Sequence, residues 1–299
     1  MKIIFSVIIP VFNEERTIER VVSSLYQFAD KKNIEVIIIN SGSTDKTSAK
    51  ISKLHKKFTN VCIVTQTKEQ FNHGNTRNLG VRLSKGKYIL FISGDAIPLN
   101  SRMFDYFIKD FENDEKIVAV FGRQIPHKNT SFIQKIETTR DFDILDKYLV
   151  NNKLIFDIKK PFIPFIKENL FLWYFISNVC ACYRRSFLIE TPFITTDHGE
   201  DIFIGKAILE KGLKKIYDQR ISVRHSHNYN YFDYFIRDQK EIRIALVGLH
   251  LGKKINIKHK IMKIFLLKTT KLQKVKYFGD LLVLYLIKLI AYTKIKIFG

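Results

Sequence analysis

The run Lys87-Tyr88-Ile89-Leu90-Phe91-Ile92, continued by Ser93-Gly94-Asp95-Ala96-Ile97-Pro98, decides how the chain is to be read. Its aromatic and apolar residues, with Lys85-Gly86 ahead and Gly and Pro behind, specify a buried strand that stops abruptly. Asp95 then stands just past the carboxyl end of a central strand. Ligands of open α/β sheets bind in the crevice beyond those ends, where a carboxylate can hold a metal or face a phosphate-bearing ligand. Taken alone, Asp-x-x-Pro is more often a turn capping a helix that starts near Pro98. The rest of the chain tips the balance.

Upstream, the same alternation repeats. Ile3 to Ile9 is an apolar run ending at Pro10, and Ile18, Val21, Val22, Leu25 and Tyr26 have helical spacing within Glu14 to Phe28. Val36 to Ile39 is a second strand, followed by the turn-rich Asn40-Ser41-Gly42-Ser43-Thr44-Asp45 and a helix to about Lys57. Val61 to Thr65 is a third, and Asn72 to Asn78 leads into the helix that precedes the Asp95 strand. Strands alternating with helices make an α/β fold with a mostly parallel central sheet and right-handed crossovers. The loops after the first two strands gather Asn13, Glu14, Asn40, Gly42 and Ser43 on one side. Such loops can hold a base, a ribose and phosphates, and Arg77 can neutralise a diphosphate. Neither the Rossmann nor the P-loop glycine spacing is present, and ordinary turn chemistry explains each loop taken singly.

Together these stretches carry a resemblance. Pro10-Val11-Phe12-Asn13-Glu14-Glu15, Asn40 to Asp45, Phe71-Asn72-His73-Gly74-Asn75-Thr76-Arg77-Asn78 and Asp95-Ala96-Ile97-Pro98 resemble family 2 glycosyltransferases of the GT-A fold. The His-Gly-x-Thr-Arg-Asn and Asp-Ala-x-Pro forms are similar to its bacterial rhamnosyltransferase-like branch. The likeness runs from Ser6 to about Tyr229. It implies an inverting transfer from a nucleotide-diphospho-sugar donor, L-rhamnose on dTDP by the branch or a UDP-hexose as the alternative, to a glycan or lipid-linked acceptor in cell-surface polysaccharide synthesis. It also implies donor and acceptor contacts from Pro10, Phe12, Asn13, Glu14, Asn40, Gly42, Ser43, Arg77, Asn178 and Glu200. Two departures stand out: Asn40 sits where members carry Asp, and the acidic triplet is reduced to Ser93-Gly94-Asp95.

Downstream, Ile117 to Phe121 reads as a strand and Phe132 to Val150 as an exposed helix. The aromatic stretch Phe162 to Ile176 reads as core or lid, with an acceptor-facing role as the alternative. His198-Gly199-Glu200-Asp201 opens a helix. Acids at a helix start are commonly caps, whereas the resemblance makes Asp201 the base. Direct displacement at an anomeric carbon needs a carboxylate that takes the acceptor hydroxyl proton on the face opposite the leaving diphosphate. His225 and His227, two apart on a strand, share a face and would join Asp95 at Mg or Mn, neutral imidazole suiting Mn better.

Composition sets the frame. A chain of 299 residues with 46% hydrophobic content can bury a full core. The net charge is +21, and residues 253 to 299 hold twelve lysines against one aspartate. The surplus is segmental, which favours a surface-binding element over a uniform nucleic-acid coat. Ile257, Ile261, Ile264, Phe265, Leu272 and Val275 approximate one apolar stripe, with Lys260, Lys263, Lys271 and Lys274 elsewhere around the helix. No uncharged run reaches the length of a spanning helix. The expected organisation is a GT-A-like domain over 1–230 and a helical basic extension over 231–299 that lies on an anionic membrane. Three cysteines without metal spacing and no secretory signal fit a reduced cytoplasmic protein on the inner membrane face. A basic nucleic-acid-binding protein without catalysis is the rival from another class, and a nucleotidyltransferase lacks its Gly-rich loop.

Overall fold

Strand β1 (Phe5–Val11) turns Val7, Ile9 and Val11 into one hydrophobic cluster and Ile8 into another, and all four are buried. A strand buried on both faces needs helices on both sides of its sheet. One side is covered by α1 (Ile18–Phe28), α2 (Thr47–Lys57) and α4 (Met103–Glu112) through Val21, Leu25, Ile51 and Phe107. The other is covered by α3 (His73–Leu83), α6 (Arg185–Glu190) and α7 (Glu200–Glu210) through Val81, Leu188, Ile204 and Ile208. The computed structural model describes residues 2–29, 33–161, 171–196, 198–227, 229–244 and 271–298.

The remaining strands are β2 (Ile34–Asn40), β3 (Val61–Thr65), β4 (Tyr88–Ile92), β5 (Ile97–Pro98), β6 (Ile117–Ile125), β7 (Lys153–Asp157), β8 (Cys180–Arg184) and β9 (Lys214–Arg224). The sheet runs β3-β2-β1-β4-β8-β6-β9, and β9 carries β7 and β5 on its other side. The first four strands in sequence are parallel, as the alternation implies. Beyond them the sheet is mixed. β8 runs antiparallel to both β4 and β6, β6 and β9 are parallel, and β5 and β7 are antiparallel to β9.

Several local expectations need correction. The segment Asn72 to Asn78 does not lead into α3; it forms the cap and first turns, with the Asn72 side chain accepting from the Gly74 and Asn75 amides. Helix α5 (Phe132–Leu145) is not exposed: Ile133, Ile136, Phe142 and Leu145 are buried. In the aromatic stretch, residues 162–170 lie outside the described residues, while Leu172, Trp173 and Ile176 are core.

The chain divides into two compact units, residues 1–125 with 142–225 and residues 126–141 with 226–299. The first holds the sheet. In the second, Ile133, Tyr234 of α8 (Tyr231–Arg243) and Leu284 of α9 (Lys271–Phe298) form a small core. Its buried Glu137 carboxylate lies near Arg140, Arg237 and Lys288 at 3.4, 3.8 and 3.5 Å. Along α9, Val275, Leu282, Leu286 and Ile290 are exposed at successive spacings of seven, four and four, which is one helical face. Of the expected stripe, Ile257, Ile261, Ile264 and Phe265, with Lys260 and Lys263, lie outside the described residues. Among the described residues no helix is long and apolar enough to cross a membrane.

Candidate active site

The loops after β1, β2 and β3 lock together through side chains. Asn13 accepts from the Thr44 amide at 2.8 Å and its own amide donates to Ser43 Oγ at 3.0 Å. The Glu14 amide donates to Thr47 Oγ1 at 2.7 Å. Between the loops lies a groove of about 620 Å³, lined by Phe12, Gly42, Thr44, Thr65, Lys68 and Gln70 among others. That volume suits a small organic ligand. The exposed Phe12 ring offers a stacking face, with Lys68 Nζ 5.6 Å from its centroid. Pro10 is half-buried within β1, one residue before its end.

Asn40 does not face the groove as a ligand. Its Oδ1 accepts from the Ser43 amide and hydroxyl at 3.1 and 2.7 Å and its Nδ2 donates to Ser48 at 3.0 Å, so the buried amide is spent on shaping the loop. Arg77 is likewise turned inward. Its guanidinium bonds the His73 carbonyl at 3.0 Å and Glu200 Oε1 at 2.9 Å, with the side chain 11% exposed, so it is paired with a buried carboxylate. Asn178, expected to touch substrate, is buried between Tyr183, whose hydroxyl donates to it at 2.7 Å, and Glu200.

At the end of β4, Gly94 allows Asp95 to stand close to the β1 loop. A Cβ there would meet Val11 Cγ1 at 2.8 Å and Glu14 Cγ at 3.0 Å. Burial, then the Asp95 carboxylate, push the Glu14 carboxyl up to about 7. Asp95 Oδ2 lies 3.3 Å from His225 Nε2. The opposite ring nitrogen of His225 bonds Gln124 Oε1 at 2.8 Å, so the ring is held with Nε2 facing the carboxylate. Asp95 and His225 thus each turn a ligand atom to one point, and His227 follows two residues on in the chain. A carboxylate and an imidazole oriented by an outer amide fit a divalent transition metal.

The third element is the start of α7. Burial would raise the Glu200 carboxyl, but the Arg77 guanidinium, His73 and the Asn178 amide hold it below its ordinary value. Asp201 is pushed the other way, to about 8, by burial and by the neighbouring Glu200 charge. It accepts from the Ile202 amide at 2.9 Å and keeps partial access to solvent. One dipeptide ties this pair to the metal-type cluster. Ser177 accepts from Gln124, the holder of His225, at 2.7 Å, and Asn178 donates to Glu200 at 3.3 Å. The Ser93 amide also bonds the Val179 carbonyl beside them.

Sequence reasoning missed Gln124, Ser177 as a bracket, and Tyr183. Gln124 reaches His225 because β6 and β9 pair in parallel across some hundred residues, with Ile125 opposite Arg224. No local signal carries that. Asn178 was named as a substrate contact, whereas its partners Tyr183 and Glu200 lie five and twenty-two residues away.

A family model described as Glycosyl transferase family 2 matches residues 6–191. The O-antigen chain rhamnosyltransferase RfbN of Salmonella typhimurium is 34% identical over 230 residues, covering 75% of this chain and 67% of the relative. The O-antigen chain rhamnosyltransferase WbaN of Salmonella anatum is 31% identical over 229 residues, with the same coverage. The fold is that of mannosyltransferase PcManGT from Pyrobaculum calidifontis, solved in complex with GDP-Man and Mn2+, at a TM-score of 0.62 and 14% identity over 100% of this chain and 76% of that one. TarS from S. aureus in complex with UDP-GlcNAc matches at a TM-score of 0.55 and 15% identity over 99% and 90%.

Proposed function

The chain belongs to glycosyl transferase family 2, and from that premise we propose that it transfers L-rhamnose from a dTDP donor, with inversion, to a hydroxyl of a growing lipid-linked glycan. The observation that carries this reading is the Ser177-Asn178 bracket, which keeps a metal-type cluster and a carboxylate pair on one edge of the sheet. The nucleotide base lies in the groove beside Phe12, Gly42 and Thr44. Asp95, His225 and His227 hold a divalent metal, Mn better than Mg for two imidazoles. When bound, that metal neutralises charge on the leaving diphosphate.

Asp201 takes the acceptor hydroxyl proton. The acceptor oxygen bonds the anomeric carbon, the bond from that carbon to the diphosphate breaks, and the nucleoside diphosphate leaves with the electron pair. A base whose pKa lies near neutrality suits this task, since it is ionised enough to act and basic enough to draw the proton. Glu200, locked by Arg77 and Asn178, fixes the helix start and does not touch substrate. The identities of RfbN and WbaN support rhamnose.

The exposed apolar face of α9 and its lysine excess support peripheral binding to an anionic membrane at the cytoplasmic face, where a lipid-linked acceptor would be met. A donor panel with the purified chain tests the transfer. Turnover of dTDP-L-rhamnose above UDP-hexoses is expected, with Asp201→Asn losing about 10²-fold or more in rate while still binding dTDP. Turnover of UDP-hexoses alone would overturn the donor assignment, and an active Asp201→Asn would overturn the base.

A further inference from the structure

Residues 192–196, just past α6, belong to no helix or strand, yet Phe193 among them is buried. Its ring stands edge-on to Phe91 of β4 and Tyr183 of β8, at centroid distances of 5.4 and 5.9 Å. A buried residue outside helix and sheet needs other partners for its amide and carbonyl. Asn78 of α3 supplies both. Its Oδ1 accepts from the Phe193 amide at 3.0 Å and its Nδ2 donates to the Phe193 carbonyl at 2.8 Å. A side-chain amide can do this because it carries an acceptor and two donors on one carbon.

Two further contacts hold the same stretch against the first turns of α3. A Cβ at Gly74 would meet the Ile194 carbonyl oxygen at 1.9 Å, so only glycine lets the two backbones approach this closely. Thr195 Oγ1 donates to Asn75 Oδ1 at 2.8 Å. Five residues on, Glu200 returns to the same helix through its 2.9 Å ion pair with Arg77. The chain that leads to Asp201 is thus fastened at both ends to one short piece of α3, residues 74–78.

Of the motif Phe71 to Asn78, the resemblance gives a substrate contact to Arg77 alone. The geometry gives the motif another task. We propose that Asn78 is a positioning residue for the transfer: paired with the Phe193 backbone, and helped by Gly74 and Asn75, it fixes the segment that sets Asp201 against the acceptor hydroxyl. Asn78 acts through that segment and not on the reacting atoms. A displacement of about 1 Å at a reacting group costs about 10²-fold in rate even when its cause lies elsewhere. The groove loops are held by their own contacts, from Asn13 to Ser43 and Thr44 and from Glu14 to Thr47. The clamp on residues 193–195 therefore governs the rate of the step and not the affinity for dTDP.

The inference rests on Asp201 being the base, and the experiment separates the two. Release of dTDP from dTDP-L-rhamnose in a single turnover, with extracted lipid-linked glycan as acceptor, is followed for the full chain beside dTDP affinity. Asn78→Ala slows the step at least about tenfold and leaves dTDP affinity within about twofold. Asn75→Ala and Thr195→Val remove one exposed hydrogen bond from its two ends, and they keep the fold whatever Asn78→Ala does to it. Each slows the step several-fold, and the double variant is no slower than the slower single, because both break the same contact. Asn75→Asp keeps the acceptor for Thr195 and with it the wild-type rate. Wild-type rates in the Asn78, Asn75 and Thr195 variants, with Asp201→Asn inactive, overturn the clamp alone. So do additive losses at Asn75 and Thr195, or rate and dTDP affinity falling together. Where only a UDP-hexose turns over, the donor assignment falls and the same comparison is read with that donor and UDP. An active Asp201→Asn overturns the base and, with it, this inference.

Discussion

Arg77→Met breaks the ion pair on which the acid pair depends. The Arg77 guanidinium and the Glu200 carboxylate meet at 2.9 Å with side chains 11% and 5% exposed. Water cannot replace a partner lost there. Removing one member of a buried pair leaves the other charge uncompensated and costs about 3–5 kcal/mol, against about 0–1 kcal/mol at the surface. The pH dependence has a definite sign. In the wild type Glu200 sits below its ordinary value, so it contributes stability above the unfolded pKa that is lost as pH falls through the folded one. Without Arg77 burial is no longer offset, the folded carboxyl rises, and the penalty grows as pH climbs from about 4 towards 7. Urea unfolding at the two pH values, followed through the fluorescence of Trp173, reads this directly, because Trp173 is the one tryptophan and is buried in the same unit. Glu200→Gln and the double variant complete a cycle whose expected coupling is at least about 2 kcal/mol. A loss under about 1 kcal/mol at pH 7 that is equal at pH 4, with coupling near zero, would refute the assignment of Arg77 to Glu200.

Two further outcomes follow from the geometry. Asp95→Ala and His225→Gln each remove a ligand from the metal-type cluster. Calorimetric titration with Mn2+ in the presence of dTDP should show affinity falling at least about tenfold in either, and equal binding in both variants would place the metal elsewhere. The paired substitution Leu286→Glu and Ile290→Glu sets charge on the exposed face of α9. Flotation with phosphatidylglycerol vesicles should fall several-fold and phosphatidylcholine vesicles should bind little in either form, whereas undiminished flotation of the variant would sink membrane docking by this face.

The amino-terminal half was legible because its information is local. In β1 to β4 each strand is a short apolar run bounded by turn residues, and α1 and α2 carry buried apolar positions at helical spacing. The later sheet was not. Cys180-Ala181-Cys182-Tyr183-Arg184 looks like nothing in particular until it is placed antiparallel between β4 and β6, and Lys153–Asp157 pairs with a strand sixty residues away. The candidate site divides in the same way. Asp95, His225, Glu200 and Asp201 were named because their residue types suit the chemistry. Arg77, Asn40 and Asn178 were given ligand roles because a polar group in a loop or near a site looks available. Which buried neighbours they bond was not legible, since a guanidinium or amide removed from water bonds whatever polar atom shares its pocket.

The position of β8 also orders events during synthesis. Residues 5–92 contain β1 to β4 with α1 to α3 and complete the three loops that line the groove beside Phe12. The edge that carries the chemistry needs β8 to slot in between β4 and β6, about ninety residues later, and then β9 to bring His225 to Asp95. Long-range pairings of this kind form late, and a chain emerging from the ribosome folds its amino-terminal part first. A nascent chain halted soon after α3 would therefore carry the three groove loops while the strands that assemble the opposite end of the site were still unmade. In this protein the two parts of the candidate site are written into the chain one after the other.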